Sequence, residues 1–349
     1  LEVLQNGHAI DLVLTDINMP QMDGLTLLEK MRELNKPLLK SIVVSAYGDM
    51  ENIRTAMNRG AFDFVTKPIN LNDLEATISK TLQELAVLKS ALRDHDEYIA
   101  LQQELEIARH IQLSILPKSF PASSVEQGFE INATIETAKE VGGDFYDYFK
   151  IDNDRLGFLI GDVSGKGVPA AIFMAVSKTT IKATALRGFP PNECLNLVNN
   201  VLVQESVPNV FVTVFYGILN FRTGELEFCN AGHNQPFLIG DDHKVSMLRE
   251  VDGIPMGFLA NFQYSKQSIQ LKNDETIFLY TDGVTEAMDE KEIEFSEKNL
   301  EKILRISAAQ SLPDLNRNVV TEVKNHTNSR PPGDDITVLS LRYCKNDSY

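Results

Sequence analysis

Between residues 11 and 17 the run Asp11-Leu12-Val13-Leu14-Thr15-Asp16-Ile17 is apolar and β-branched, and it leads into Asn18-Met19-Pro20 and Asp23-Gly24. A short run bounded by turn residues predicts a buried strand ending on Asp16, then a loop and a helix from near Leu25. Ser41-Ile42-Val43-Val44-Ser45 repeats the pattern before Gly48, and Phe62-Asp63-Phe64-Val65 repeats it before Lys67-Pro68. Strands alternating with helices at this spacing predict parallel βα units, whose ligands gather at the carboxyl ends of the strands.

From Leu71 the period changes to three and four. Leu71, Leu74, Ile78, Thr81, Leu85, Leu88, Leu92, His95 and Ile99 form one stripe; Leu101, Leu105, Ala108, Gln112 and Ile115 form a second, out of phase with the first. Residues 71–116 contain neither Gly nor Pro, so a long helix is predicted. It packs either on its own domain or as a parallel two-stranded coiled coil. A connector between two domains has little else to pack against, so the expectation is a coiled coil and, through it, a homodimer.

After Pro117 strand-like runs recur at 156–160, 210–219, 225–228, 236–239, 276–280 and 336–341, with helical stretches near 168–186, 191–205 and 296–325. Many short strands with a few long helices predict an α+β sandwich. The expected organisation is multidomain: an α/β segment with a parallel sheet over 1–84, a helical linker over 85–115, and an α+β domain of β-sandwich and flanking helices over 116–349.

Charge narrows the function. Lys and Arg total 33 against 49 Asp and Glu, a formal net charge of −16 over 349 residues. All three segments are acidic, the last most of all. That balance argues against nucleic acid or an anionic membrane as the main partner. Cys194, Cys229 and Cys344 lie far apart without a CxxC pair, which suits a reducing cytoplasm and disfavours a thiolate metal site. No apolar run approaches a membrane span.

In the first segment three strand ends deliver Asp16, Ser45 and Lys67 to one rim. There a carboxylate can attack a phosphoryl group, a hydroxyl can hydrogen-bond the product and an ammonium can neutralise it. Asp16-Ile17-Asn18-Met19-Pro20-Gln21-Met22-Asp23-Gly24, with Val44-Ser45-Ala46 and Thr66-Lys67-Pro68, resembles the receiver domain of two-component response regulators. The resemblance implies that Asp16 is the phosphoacceptor and that the Asn18 carbonyl helps hold Mg²⁺. It makes Ser45 and Phe64 the switch pair, Lys67 the phosphoryl-binding cation and a sensor histidine kinase the phosphate source. The family's first strand, first helix and second strand, with the metal-holding acidic pair, are expected before Leu1. A receiver without them is expected to be impaired in phosphorylation.

In the last segment four acidic sites sit in glycine-marked loops: Gly142-Gly143-Asp144, Gly161-Asp162-Val163-Ser164-Gly165, Thr281-Asp282-Gly283 and Gly333-Asp334-Asp335. A lone Asp-Gly reads as a turn. Carboxylates meeting from several strand ends, without His or Cys, suit hard cations such as Mg²⁺ or Mn²⁺ and a two-metal attack on phosphorus.

These loops, with Glu104-Leu105-Glu106-Ile107-Ala108, Ile111-Gln112, Leu116-Pro117, Gly165-Lys166-Gly167-Val168-Pro169-Ala170-Ala171, Asn230-Ala231-Gly232-His233-Asn234 and Asp334-Asp335-Ile336-Thr337, resemble the PPM (type 2C) serine/threonine phosphatases of the SpoIIE/RsbU branch over 104–345. The resemblance implies two Mn²⁺ or Mg²⁺ held by Asp144, Asp162, the Val163 carbonyl, Asp282 and Asp334, with Asp335 behind them. Lys166 stands where many relatives have His and is a candidate contact to the substrate phosphate. His233 is either a general acid for the leaving serine or the structural residue of a tight turn, and its turn-like setting favours the latter. The aromatic run at 145–149 is expected to be core and pocket wall.

Two other functions fit the residues less well. A diguanylate cyclase needs a second acidic residue where Phe145 stands, and leaves three aspartate loops unexplained. A catalytically weak phosphatase-like scaffold would have lost metal carboxylates that this chain keeps. The expected function is therefore a cytoplasmic response regulator whose output is phosphoserine hydrolysis. The branch implies an anti-sigma-factor antagonist as substrate.

Overall fold

The computed structural model describes residues 1–6, 9–118, 128–205, 210–248, 253–328, 330 and 332–345. The chain divides into two compact units, Leu1–Gln103 and Glu104–Tyr349.

The first unit runs α1 (Glu2–Gln5), β1 (Leu12–Asp16), α2 (Gly24–Glu33), β2 (Lys40–Ala46), α3 (Met50–Asn58) and β3 (Asp63–Lys67) before α4 (Leu71–Ile115) begins. The three strands pair in parallel in the order β1-β2-β3, as the alternating pattern predicts. Asp16 stands opposite Val44 and Lys67 opposite Ala46, so Asp16, Ser45 and Lys67 share one rim. Asp23 caps α2 by accepting a hydrogen bond from the Thr26 amide at 2.7 Å. Ile17, Leu28, Val43, Ala56 and Ala61 form the core beneath.

Helix α4 is continuous over 45 residues, as the absence of Gly and Pro predicts. Most of it is exposed; Thr81, Leu85 and Gln112 are buried.

The second unit continues with β4 (Phe129–Glu136), β5 (Phe145–Lys150), β6 (Arg155–Val163), α5 (Val168–Ala185), α6 (Pro191–Glu205), β7 (Val212–Asn220) and β8 (Glu225–Ala231). Then come β9 (Phe237–Ile239), β10 (Val245–Met247), β11 (Gln267–Gln270), β12 (Thr276–Tyr280), α7 (Asp282–Thr285), α8 (Ser296–Ser307), α9 (Leu312–His326) and β13 (Ile336–Tyr343). Two antiparallel five-stranded sheets result, β10-β9-β12-β13-β4 and β11-β8-β7-β6-β5. Helices α8 and α9 pack on the first, α5 and α6 on the second.

The pleat explains why the strand runs look uniformly apolar. On β12, Ile277 and Leu279 enter the core between the sheets, whereas Phe278 and Tyr280 enter the core under α8 and α9. Both faces are covered, so both must be apolar; burying a side chain such as Phe278 contributes about 1.5–3 kcal/mol.

The single helical stretch expected over 296–325 is two helices. Ser311 accepts a hydrogen bond from the Asp314 amide and Pro313 sits in the first turn of α9, the place where its missing N–H costs least. Strands β4, β5, β10 and β11 lie outside the runs predicted as strands, although β4 carries a period-two signal in Phe129, Ile131, Ala133 and Ile135. Among the described residues no helix is long and apolar enough to cross a membrane, and the three cysteines are buried and free.

Candidate active site

Strand and helix ends of the second unit bring the four aspartate loops together. Asp144 begins just before β5, Asp162 lies at the end of β6, Asp282 opens α7 after β12, and Asp334 and Asp335 precede β13. Asp144 is 1% exposed. Its Oδ2 accepts from Thr281 Oγ1 at 2.8 Å and from Thr337 Oγ1 at 2.6 Å, which ties the 142–144 loop to β12 and β13.

Asp335 is the clamp of the cluster. Its Oδ1 accepts from the Ala138 amide at 2.7 Å, and its Oδ2 accepts from the Gly143 and Asp144 amides at 2.7 and 3.3 Å. A carboxylate taking three backbone N–H groups holds a loop firmly. It also explains Gly142: a Cβ there would stand 2.0 Å from Asp335 Oδ2. A Cβ on Gly143 would stand 2.7 Å from the Val163 carbonyl and 3.4 Å from Asp162 Oδ1, so that loop lies directly against β6.

The charges oppose one another. Burial, then the nearby Asp162 and Asp335, hold the Asp144 carboxyl well above the usual range. Burial and the charges of Asp282 and Asp334 push Asp162 up to about 7, against a hydrogen bond with Asp144 that works the other way. Burial, Glu286 and Asp334 push Asp282 up to about 6. Lys166 brings a positive charge to them. Its Nζ pairs with Asp334 Oδ2 at 2.8 Å and donates to the Gly333 carbonyl.

Among the described residues no three His, Cys, Asp or Glu side chains stand close enough together to hold a metal ion as they are placed. The aspartates form an open cluster in which hydroxyls bind Asp144, backbone amides bind Asp335 and the Lys166 ammonium binds Asp334. The donor set still fits a divalent cation: hard oxygen ligands, no His or Cys, and three carboxyls, Asp144, Asp162 and Asp282, raised by burial and by neighbouring carboxylates.

Two buried groups support the cluster from outside it. The Gln112 side chain of α4 makes a two-way bond with the Gly142 backbone: Nε2 donates to the carbonyl at 2.6 Å and Oε1 accepts from the amide at 3.1 Å. His233 is 5% exposed. Its backbone closes a turn with the Asn230 side chain, and Nδ1 meets Thr213 Oγ1 at 2.9 Å. Thr213 stands opposite Asp162 on the paired strand. Burial drives the His233 ring down to about 4, only partly offset by the Tyr280 carbonyl. Phe145, Tyr146 and Phe149 are buried, in keeping with the core role expected for them.

At the rim of the first unit Lys67 pairs with Asp16 Oδ2, and the Asn18 amide donates to Asp16 Oδ1 at 3.2 Å. The Lys67 hydrogen bond is the main cause that lowers the Asp16 carboxyl. Ser45 is buried and its hydroxyl lies on Asp49 Oδ2 at 3.3 Å rather than on Asp16. Phe64 is half-buried on β3.

Residues 152–343, more than half of the chain, match the family model described as Stage II sporulation protein E (SpoIIE). The chain belongs to the SpoIIE family. Residues 1–79 match the response regulator receiver domain, so the chain joins a receiver segment to a SpoIIE domain. It is 30% identical over 267 residues to Protein IcfG of Synechocystis sp., covering 68% of this chain but 41% of IcfG. It is 27% identical over 256 residues to Phosphoserine phosphatase RsbU of Bacillus subtilis, covering 72% of this chain and 75% of RsbU. The fold is that of the SiaA-PP2C domain of Pseudomonas aeruginosa: TM-score 0.62 and 24% identity, over 71% of this chain and 98% of that domain.

Proposed function

We propose that this chain is the output enzyme of a two-component system, a metal-dependent protein-serine/threonine phosphatase governed by its receiver segment. The observation that carries the reading is the meeting of four aspartate loops in one cluster, in which burial and neighbouring carboxylates raise Asp144, Asp162 and Asp282. Membership of the SpoIIE family and the likeness to a relative named as a phosphoserine phosphatase support it.

In this reading Asp144, Asp162, the Val163 carbonyl, Asp282 and Asp334 hold two Mn²⁺ or Mg²⁺. Bound there, the cations supply Lewis acidity and neutralise charge on a phosphoryl group. Thr281 and Thr337 fix the orientation of Asp144, and Asp335 fixes the backbone that carries it. Lys166, already an ion-pair partner of Asp334, adds positive charge where a phosphate arrives.

Upstream, Asp16 accepts a phosphoryl group from a sensor histidine kinase, with Mg²⁺ in the intact receiver. Lys67 neutralises it, and Ser45 and Phe64 report it. The domains are 1–84, 85–115 and 116–349, and the linker helix makes a homodimer in the cytoplasm. The substrate is a phosphoserine protein, an anti-sigma-factor antagonist in a partner-switching pathway.

Hydrolysis of an aryl phosphate and of a phosphoserine peptide, with and without Mn²⁺, tests the activity. The expected result is Mn²⁺-dependent turnover that falls at least about 100-fold in Asp282→Asn, given several kcal/mol of metal-borne charge stabilisation. Equal turnover in that variant would sink the reading.

A further inference from the structure

A cavity of about 650 Å³ opens beside the aspartate cluster, lined by Asp334 and Gly283 among others. That size suits a bound ligand segment, not only a phosphate. Its charged lining is divided by origin. The segment after α7 contributes Glu286, Asp289 and Glu292; Lys166 comes from the loop before α5 and Arg330 from the segment after α9.

Three of these six charges are already engaged. Lys166 pairs with Asp334. The Asp289 carboxylate accepts from the Lys291 and Ile293 amides and so closes its own turn. Arg330, Glu286 and Glu292 are exposed and, among the described residues, have no side-chain hydrogen bond or ion pair. A free guanidinium and two free carboxylates facing one cavity are a recognition pattern without a ligand. A planar guanidinium matches phosphate oxygens, while paired carboxylates attract a lysine or arginine and repel an acidic neighbour.

We propose that this cavity is a peptide groove in which Arg330 takes the phosphate of a phosphoserine and Glu286 and Glu292 select a basic side chain flanking it. The inference rests on the phosphatase reading and adds to it a preference for the residues that flank the phosphoserine. Ala287 and Met288, between the carboxylates on the lining, offer the peptide an apolar floor.

Two phosphoserine peptides of equal length, one with Lys and Arg beside the phosphoserine and one with Glu there, test it on the full chain with Mn²⁺. The wild type is expected to favour the basic peptide about three- to tenfold in kcat/KM, the scale of one or two exposed ion pairs. Glu292→Lys removes or reverses that ratio, and Glu286→Gln narrows it. Arg330→Ala raises KM for both peptides and leaves the ratio in place. Equal turnover of the two peptides by the wild type, or an unchanged ratio in both glutamate variants, overturns the groove while the phosphatase reading stands. If the wild type hydrolyses neither peptide nor an aryl phosphate, the phosphatase reading falls and the groove with it.

Discussion

Asp335 occupies the second place in an Asp-Asp pair, yet its contacts differ in kind from those of Asp334. It is 6% exposed and spends both oxygens on backbone amides, whereas Asp334 stands half-exposed against Lys166. Asp335→Asn sets an amide N–H₂ against backbone N–H groups. The expected cost is about 2–3 kcal/mol in denaturant unfolding, with at least a tenfold loss of phosphatase rate. His233 gives a pH signature. Its ring is neutral in the folded chain down to about 4, against an ordinary value of 6.5, so the unfolded chain takes up a proton first as pH falls. The contribution is complete above pH 6.5 and is lost as pH drops through 4, with a slope near 1.4 kcal/mol per unit. Urea unfolding of His233→Gln should lack that slope; an unchanged slope would place the titration elsewhere. The aspartates were legible in the sequence because glycine turns mark their loops. The hydroxyls of Thr281 and Thr337 were not, because each meets Asp144 across 137 and 193 residues of chain. A threonine carries no local sign of such a partner.

At the scale of elements, the parallel strands, the long helix and the principal sandwich strands follow from apolar period and from the placing of Gly and Pro. Short edge strands such as β10 and β11 do not, because pairing with a neighbour, not their own composition, makes them strands. Helix α4 shows where pattern reading stops. Gln112 reads as a stripe position, but in the fold its amide holds Gly142, two residues before Asp144. Gln112→Ala leaves a buried amide and carbonyl without that partner, at about 1–3 kcal/mol. Hydrogen exchange should quicken at residues 142–144 and stay unchanged in α2 and α3. Uniform exchange across the chain would remove Gln112 from the support of the site. An ion-pair set does similar work on the strand that follows this loop: buried Asp147 of β5 meets Lys178 and Lys182 of α5 and ties the helix to the strand.

For the molecule as a whole, the net charge of −16 first argues against nucleic acid or an anionic membrane as the main partner and then locates a need for cations. Asp162 and Asp282, raised to about 7 and about 6, favour the protonated folded state. Without metal, their contribution is present at low pH and is lost as pH rises from the ordinary carboxylate range through 6 and 7. This slope opposes that of His233 between pH 4 and 6.5, so variants, not the wild-type curve alone, separate the two. Thermal unfolding of metal-free protein should give a Tm that falls between pH 5 and 7.5 more steeply than in Asp162→Asn. Added Mn²⁺ should raise the Tm most at the upper end.

All of this depends on one proposition, that the four aspartate loops form a single two-cation site. Crystals soaked in Mn²⁺ and measured at the manganese edge test it without recourse to activity. Two anomalous peaks among Asp144, Asp162, the Val163 carbonyl, Asp282 and Asp334 are expected, with Lys166 displaced from Asp334. No peak at the cluster, or peaks only at other carboxylates, would contradict the account.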